Sequence, residues 1–127
     1  MFVDYEVFIG LRDIGVNNKV TNTAILSYFE DAGGLHSNKA GYGLLDIPIK
    51  KKSWVLFQYH IKFLERPCYG QKITIRTWAR GLDKIHAYRD FEVLNDQGEV
   101  IGKATSIWIL IDIEKLKITK LRSRNRK

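Results

Sequence analysis

Apolar and polar positions alternate along most of this chain, and one stretch breaks the rhythm. "FVDYEVFI" at the start is rich in β-formers and partly alternating, which predicts a strand. Ile25, Phe29, Ala32 and Leu35 then recur at helical spacing, and Leu26 and Tyr28 widen the stripe. Thr21, Asn22 or Thr23 can cap that helix, because a short side-chain oxygen accepts an orphan backbone N–H at a helix start. Gly41 and Gly43 supply a stop. "LLDIPIKKK", residues 44–52, reads as a loop with a proline and a lysine run. In "SWVLFQYHIKF" alternation returns: Val55, Phe57, Tyr59, Ile61 and Phe63 share one predicted face, and Gln58, His60 and Lys62 the other. Pro67 and Gly70 break the pattern. "KITIRTWAR" restores it, with Ile73, Ile75, Thr77 and Ala79 on one side. "IHAYRDFEVL" and "EVIGKATSIWILIDI" form a hairpin about the turn "NDQG". The nearly unbroken apolar run from Ile107 to Ile113 predicts a central strand covered on both faces.

The order is strand, long helix, then four strands, so the fold class is α+β: one helix lying across an antiparallel sheet of about five strands. Gly33 and Gly34 sit inside the helix, where each costs roughly 1 kcal/mol against alanine. Close approach of helix to sheet offsets that cost, or else room for a ligand does.

The 127 residues suit one domain with a real core. Composition changes the picture at one end only. The net charge is +7, yet the last fourteen residues, "EKLKITKLRSRNRK", carry seven Lys/Arg against one Glu. The other 113 residues hold 14 basic and 13 acidic side chains. Residues 1–113 therefore read as a nearly neutral folded body and 114–127 as a basic tail or linker. A solvated end is favoured over a nucleic-acid arm, since no aromatics interleave with the tail's cations. No apolar run approaches the ~20 residues that span a bilayer, and the N-terminus lacks the basic region of a signal peptide. One cysteine, Cys68, excludes an internal disulfide and fits a reducing, cytoplasmic setting.

Four stretches in this order, "LSYFEDAGGLHSNKAGYG", "SWVLFQYHIKF", "GQKITIRTWARG" and "AYRDFEVLNDQGEVIGKATSIWILID", resemble the acyl-ACP thioesterase family of the hotdog fold. The resemblance runs from about Asp4 to Leu121 and matches the N-terminal of two hotdog repeats. It implies one long helix held by a curved antiparallel sheet, with an acyl chain beside the helix. It also implies an acyl carrier protein as partner, hydrolysis of fatty acyl thioesters as the activity, and a second repeat or a homodimer partner. The alternative is a module that binds an acyl chain, or assembles with a catalytic partner, without hydrolysing. In the family's catalytic repeat the loop before the helix resembles Asp-x-Asn-x-His. Placed here by the following helix, that pattern falls on Gly15 to Lys19 and keeps only Asn17. The resemblance therefore implies the repeat that shapes the pocket.

Thioester hydrolysis needs a base or nucleophile, oxyanion donors and a pocket for the chain. Asn17, Asp13, Glu30 and Asp31 are the candidate catalytic groups, weighed against a solvated helix face for the last two. Phe29, Gly33, Trp54 and Trp78 are the candidate acyl contacts, and core packing is the bland reading for the tryptophans. Lys50, Lys51 and Lys52 are candidates for docking the acidic carrier. Arg89 and Asp90 are adjacent, so they point to opposite faces of their strand. His36, His60 and His86 have no evident acid partner. The histidines and the lone cysteine show no metal spacing, and no glycine-rich phosphate loop is present, so no metal or cofactor is expected.

Overall fold

The computed structural model describes residues 2–40 and 51–121, with backbone alone for 36–40. Strand β1 (Val3–Phe8) leads through a 3-10 turn (Leu11–Asp13) to helix α1 (Asn22–Ala40). Strands β2 (Lys52–Phe63), β3 (Lys72–Leu82), β4 (His86–Leu94), β5 (Val100–Asp112) and the two-residue β6 (Lys117–Ile118) follow. All pair antiparallel in one sheet of order β1-β3-β4-β5-β2, with β6 added to β5. The predicted class and element order hold. Gly41, Gly43, most of the 44–52 loop and residues 122–127 lie outside the described residues, as does the side chain of His36. Among the described residues no helix is long and apolar enough to cross a membrane.

Of the three possible caps the structure selects Thr21, whose Oγ1 accepts the Ala24 N–H at 3.1 Å. The helix buries Ile25, Phe29 and Ala32 against Ile73, Ile75, Phe91, Val93 and Ala104 of the sheet. Leu35 is exposed instead, because three residues beyond Ala32 the stripe has rotated off the sheet. Phe29 stacks on Phe91 at 4.5 Å between centroids, and Tyr59 closes the cluster at 6.0 Å from Phe29. The two helix glycines differ. A Cβ on Gly33 would meet the Arg89 side chain at 3.4 Å, whereas one on Gly34 meets nothing within 4 Å. Close approach to the sheet therefore explains Gly33 alone.

Two irregularities re-aim the strands. The β2–β5 register slips between Leu56 and Gln58, leaving Phe57 as an extra residue. Tyr59, Ile61 and Phe63 pack on the core as expected. Beyond the bulge the phase inverts. Leu56 stands opposite Trp108 and Trp54 opposite Leu110, on the helix side, while Val55 and Phe57 are 43% and 58% exposed. The predicted shared face of Val55 and Phe57 with Tyr59 is thereby corrected. β3 slips similarly between Ala79 and Gly81. β5 is internal, next to the β2 edge rather than central. The chain also stays on the sheet past residue 113: Ile118 pairs with Ile111, the Thr119 N–H donates to the Leu110 carbonyl, and the Leu121 N–H donates to that of Lys84. Part of the segment read as tail thus extends the folded body.

Gly34→Ala is expected to stabilise the protein by up to about 1 kcal/mol, since helix propensity improves with no steric cost. That corresponds to a rise of roughly 4 °C in Tm. Gly102→Ala should destabilise it, because the new Cβ would lie 2.9 Å from the Phe63 ring. Thermal unfolding of both variants checks the pair, and equal midpoints contradict the packing described.

Candidate functional site

The loop before α1 is the first place to look for catalytic groups. It closes on itself. The Gly15 N–H donates to the Lys19 carbonyl at 2.9 Å, the Asn18 N–H to Gly15 at 3.1 Å, and Ile14 bridges Val20. Asn18 takes the left-handed backbone that asparagine tolerates, at φ 64. The Asn17 side-chain oxygen accepts the Lys19 N–H at 3.2 Å, an Asx-type turn that spends its acceptor on the chain itself. Lys19 bridges to Cys68, and the Val20 N–H donates to Pro67, so the loop is stitched to the β2–β3 connection. Neither an acid nor an imidazole stands between Gly15 and Lys19.

The other candidate acids are dispersed. Asp13 Oδ2 accepts the Gly10 N–H at 3.1 Å and closes the 3-10 turn. Its carboxylate stands beside the buried Tyr28 hydroxyl, outside good hydrogen-bond geometry. Burial raises the Tyr28 pKa and the Asp13 charge adds to the rise. Asp31 accepts a long 3.5 Å hydrogen bond from Tyr5. Glu30 is exposed on the helix, close enough to Tyr59 to raise its pKa further after burial has done most of that. Among the described residues no hydrogen bond joins any two of Asn17, Asp13, Glu30 and Asp31. As an assembled catalytic set they are not supported by this geometry.

The inner face of the sheet carries a buried core, a polar stripe and an apolar strip in turn. Phe29 is fully buried in its stack and is a core residue. Beyond that stack runs a stripe of buried polar groups. Thr77 donates to the Asp90 carbonyl at 2.9 Å and accepts Arg89 Nη1 at 3.2 Å. Ser106 donates to the Arg89 carbonyl at 3.3 Å and accepts the Trp108 indole N–H at 2.6 Å. Burial pushes the Arg89 guanidinium below the usual arginine range. Tyr59 adds a buried hydroxyl with no partner. Past the stripe lies an apolar strip, Trp54 and Leu56 against Leu110 and Trp108, with Leu56 41% exposed. Trp54 is therefore on the inner face of the sheet.

Trp78 is on the other side. It lines an open cleft of about 380 Å³ on the outer face with His60, Asp90 and Thr105, away from the helix. Its assignment as an acyl-pocket wall is corrected, because strand alternation from the buried Thr77 turns it outward. Arg89 and Asp90 do diverge: Asp90 pairs with Arg80 at 2.9 Å on the outer face. His86 does have an acid partner, missed because a turn supplies it. Asp83 three residues earlier folds back to 3.3 Å from Nδ1. The Tyr88 hydroxyl bond, and then the His86 and Ile85 amides, hold the Asp83 carboxyl well below the usual range. Of the docking lysines, Lys50 lies outside the described residues, Lys51 pairs with Glu114 at 2.6 Å, and Lys52 opens β2. Among the described residues no cluster of His, Cys, Asp and Glu has the composition to hold a metal.

The family described as Acyl-ACP thioesterase N-terminal domain matches residues 3–124. The oleoyl-acyl carrier protein thioesterase of Coriandrum sativum is 27% identical over 117 residues, covering 86% of this chain and 31% of that protein. The chain thus spans about a third of the length of the curated relatives it matches. The crystal structure of an acyl-ACP thioesterase from Bacteroides thetaiotaomicron superposes with a TM-score of 0.88 at 23% identity, over 95% of this chain and 49% of the other. The 12:0-ACP thioesterase from Umbellularia californica gives a TM-score of 0.82 at 17% identity, over 95% and 46%. These likenesses show the hotdog fold.

Tyr59→Phe tests the inner face. Removing a buried hydroxyl that has no partner should stabilise the chain by about 1 kcal/mol, since such a group carries its desolvation penalty uncompensated. Denaturant unfolding reads the change, and a loss of stability would show that the hydroxyl is satisfied.

Proposed function

We propose an acyl-thioester role for this chain, which belongs to the acyl-ACP thioesterase family. It holds the acyl chain of a carrier-bound thioester along Trp54, Leu56, Trp108 and Leu110, and a second hotdog unit supplies the acid and base of hydrolysis. The observation that carries this reading is the self-bonded turn at Gly15–Lys19, which has a structural use for Asn17 and neither a carboxylate nor an imidazole. Water attack on a thioester carbonyl needs a base to take its proton and donors for the oxyanion. The inner strip supplies no base and offers apolar area, and the buried donors beside it are bonded to one another and to backbone carbonyls. The names of the relatives support a long-chain acyl group on an acyl carrier protein as the substrate.

The isolated chain is expected to bind oleate while hydrolysing oleoyl thioesters at least ~10²-fold more slowly than a typical enzyme. Gly15→Asp with Lys19→His should recover part of the rate. A Cβ at Gly15 meets its neighbours only at ordinary distances, 3.6 and 3.7 Å, so the substitution fits the turn. Unmodified chain turning over at ~1–10³ per second would place the chemistry elsewhere, with Asp13, Glu30 and Asp31 the first to replace.

The second unit is proposed to pair along β2. That strand is hydrogen-bonded to β5 on one side, and among the described residues no strand covers the other. Open edges recruit partners, and two-fold dimers are the commonest arrangement. Sedimentation of the isolated chain at micromolar concentration should show a dimer, and a monomer contradicts this.

A further inference from the structure

The turn between β5 and β6 has an unusual backbone. Leu116 and Lys51 sit at φ 54 and 55, in the left-handed region that costs a bulky side chain free energy. They belong to one structure. The Ile113 N–H donates to the Lys51 carbonyl at 2.9 Å, the Leu116 N–H donates to that of Asp112 at 2.7 Å, and Lys51 pairs with Glu114. The outcome is a leucine 79% exposed at the tip of the turn, with Ile118 half exposed beside it. A turn that served only to reverse the chain would be better made with glycine at position 116.

The surroundings are basic. Lys51, Lys52, Lys115, Lys117 and Lys120 lie on or beside the turn, and the backbone of Lys84 is tied to Leu121. Its acids are engaged: Asp112 accepts the Lys115 N–H at 3.0 Å, and Glu114 holds Lys51. The turn is also continuous with the apolar strip. Lys52 stands opposite Asp112, and two residues inward Trp54 stands opposite Leu110, a separation of roughly 7 Å along the strands.

We propose that this turn is the docking point of the acidic acyl carrier, with Leu116 inserting into an apolar recess of that partner. The inference rests on the acyl-thioester reading above. Lysines steer the acidic partner, Leu116 fixes it, and the thioester-bearing arm starts at the mouth of the Trp54–Leu110 strip. One projecting leucine with one neighbour suits a groove on a protein better than a broad apolar insertion into lipid.

The test titrates the full chain with a purified acyl carrier protein loaded with oleate, and separately with free oleate. Leu116→Gly should keep or raise Tm, because glycine accepts the left-handed backbone, and should weaken carrier binding about tenfold. Lys115→Glu with Lys117→Glu should weaken it similarly and flatten its salt dependence. Oleate binding should be unchanged in both. Carrier binding unaltered in both variants, or absent while oleate still binds, overturns the docking site and leaves the acyl-binding reading intact. Failure of the unmodified chain to bind either oleate or carrier overturns both. Capture of phosphatidylglycerol vesicles, lost in Leu116→Gly while carrier binding persists, overturns the site in favour of a membrane surface.

Discussion

The stack of Phe29 on Phe91 sets how closely the helix approaches the sheet, and the inner face follows from it. Fully burying a phenylalanine contributes about 1.5–3 kcal/mol, and a well-placed aromatic pair adds about 0.5–1.5. One helical turn on, Gly33 lies on the same face as Phe29, about 6 Å along the axis. Two residues back along β4, Arg89 lies on the same face as Phe91, about 6.6 Å away. The two steps nearly match, so the helix position over Arg89 is fixed by the stack. A Cβ at Gly33 would already touch Arg89 Cδ at 3.4 Å, so nothing much larger than glycine fits over the arginine there. The long Arg89 side chain fills the gap, and its buried donors require partners, one of which is Thr77. A large residue against a large one, then a small one against a long one, is what holds a cation under this helix.

The elements that local pattern controls were legible in the chain. Thr21 is one of the three possible caps, the helix stripe holds as far as Ala32, and the expected hairpin turn at Asn95–Gly98 closes with a positive φ at Gly98. What failed to show was anything that depends on phase or on a turn bringing residues back. Residues 54–57 are all apolar, so their composition does not choose a face, and one extra residue at Phe57 puts Trp54 and Leu56 on the inner face in place of Val55 and Phe57. Period-two reasoning cannot sense that, because a bulge is stabilised by the partner strand and not by its own composition. Asp83 and His86 are separated by only three residues, but their meeting needs the turn geometry. The β6 pairing was hidden because lysines at alternate positions look like a solvated tail.

For the candidate site the legible part was what the loop lacks, and the illegible part was what the sheet offers. Asn17 is the one position kept from the family's loop pattern, and its side-chain oxygen is occupied by the turn. Trp54 reads from sequence as core or as an acyl contact, and the bulge is what turns it to the inner face. Trp78 reads the same way and faces out, since no bulge intervenes between it and Thr77. Aromatic identity carried no information about face.

Under the proposed division of labour, a domain without an acid or base still governs which substrate reacts. Each methylene buried on the strip is worth about 0.8 kcal/mol. If that energy is equal in ground and transition states, it lowers KM alone. It raises the rate only if burying the chain also fixes the thioester carbonyl against the second unit's groups, because interactions remote from the reacting bond then offset the entropy of positioning. Rigidity is the requirement for that coupling, and the strip has it. Trp54 and Leu110, Leu56 and Trp108 are opposed pairs in the ladder on one side of the bulge, and the Trp108 indole is anchored to Ser106. On that proposal, selectivity among chain lengths would be bounded by the geometry of these strands, at roughly 1–3 kcal/mol per methylene, whichever residues break the bond.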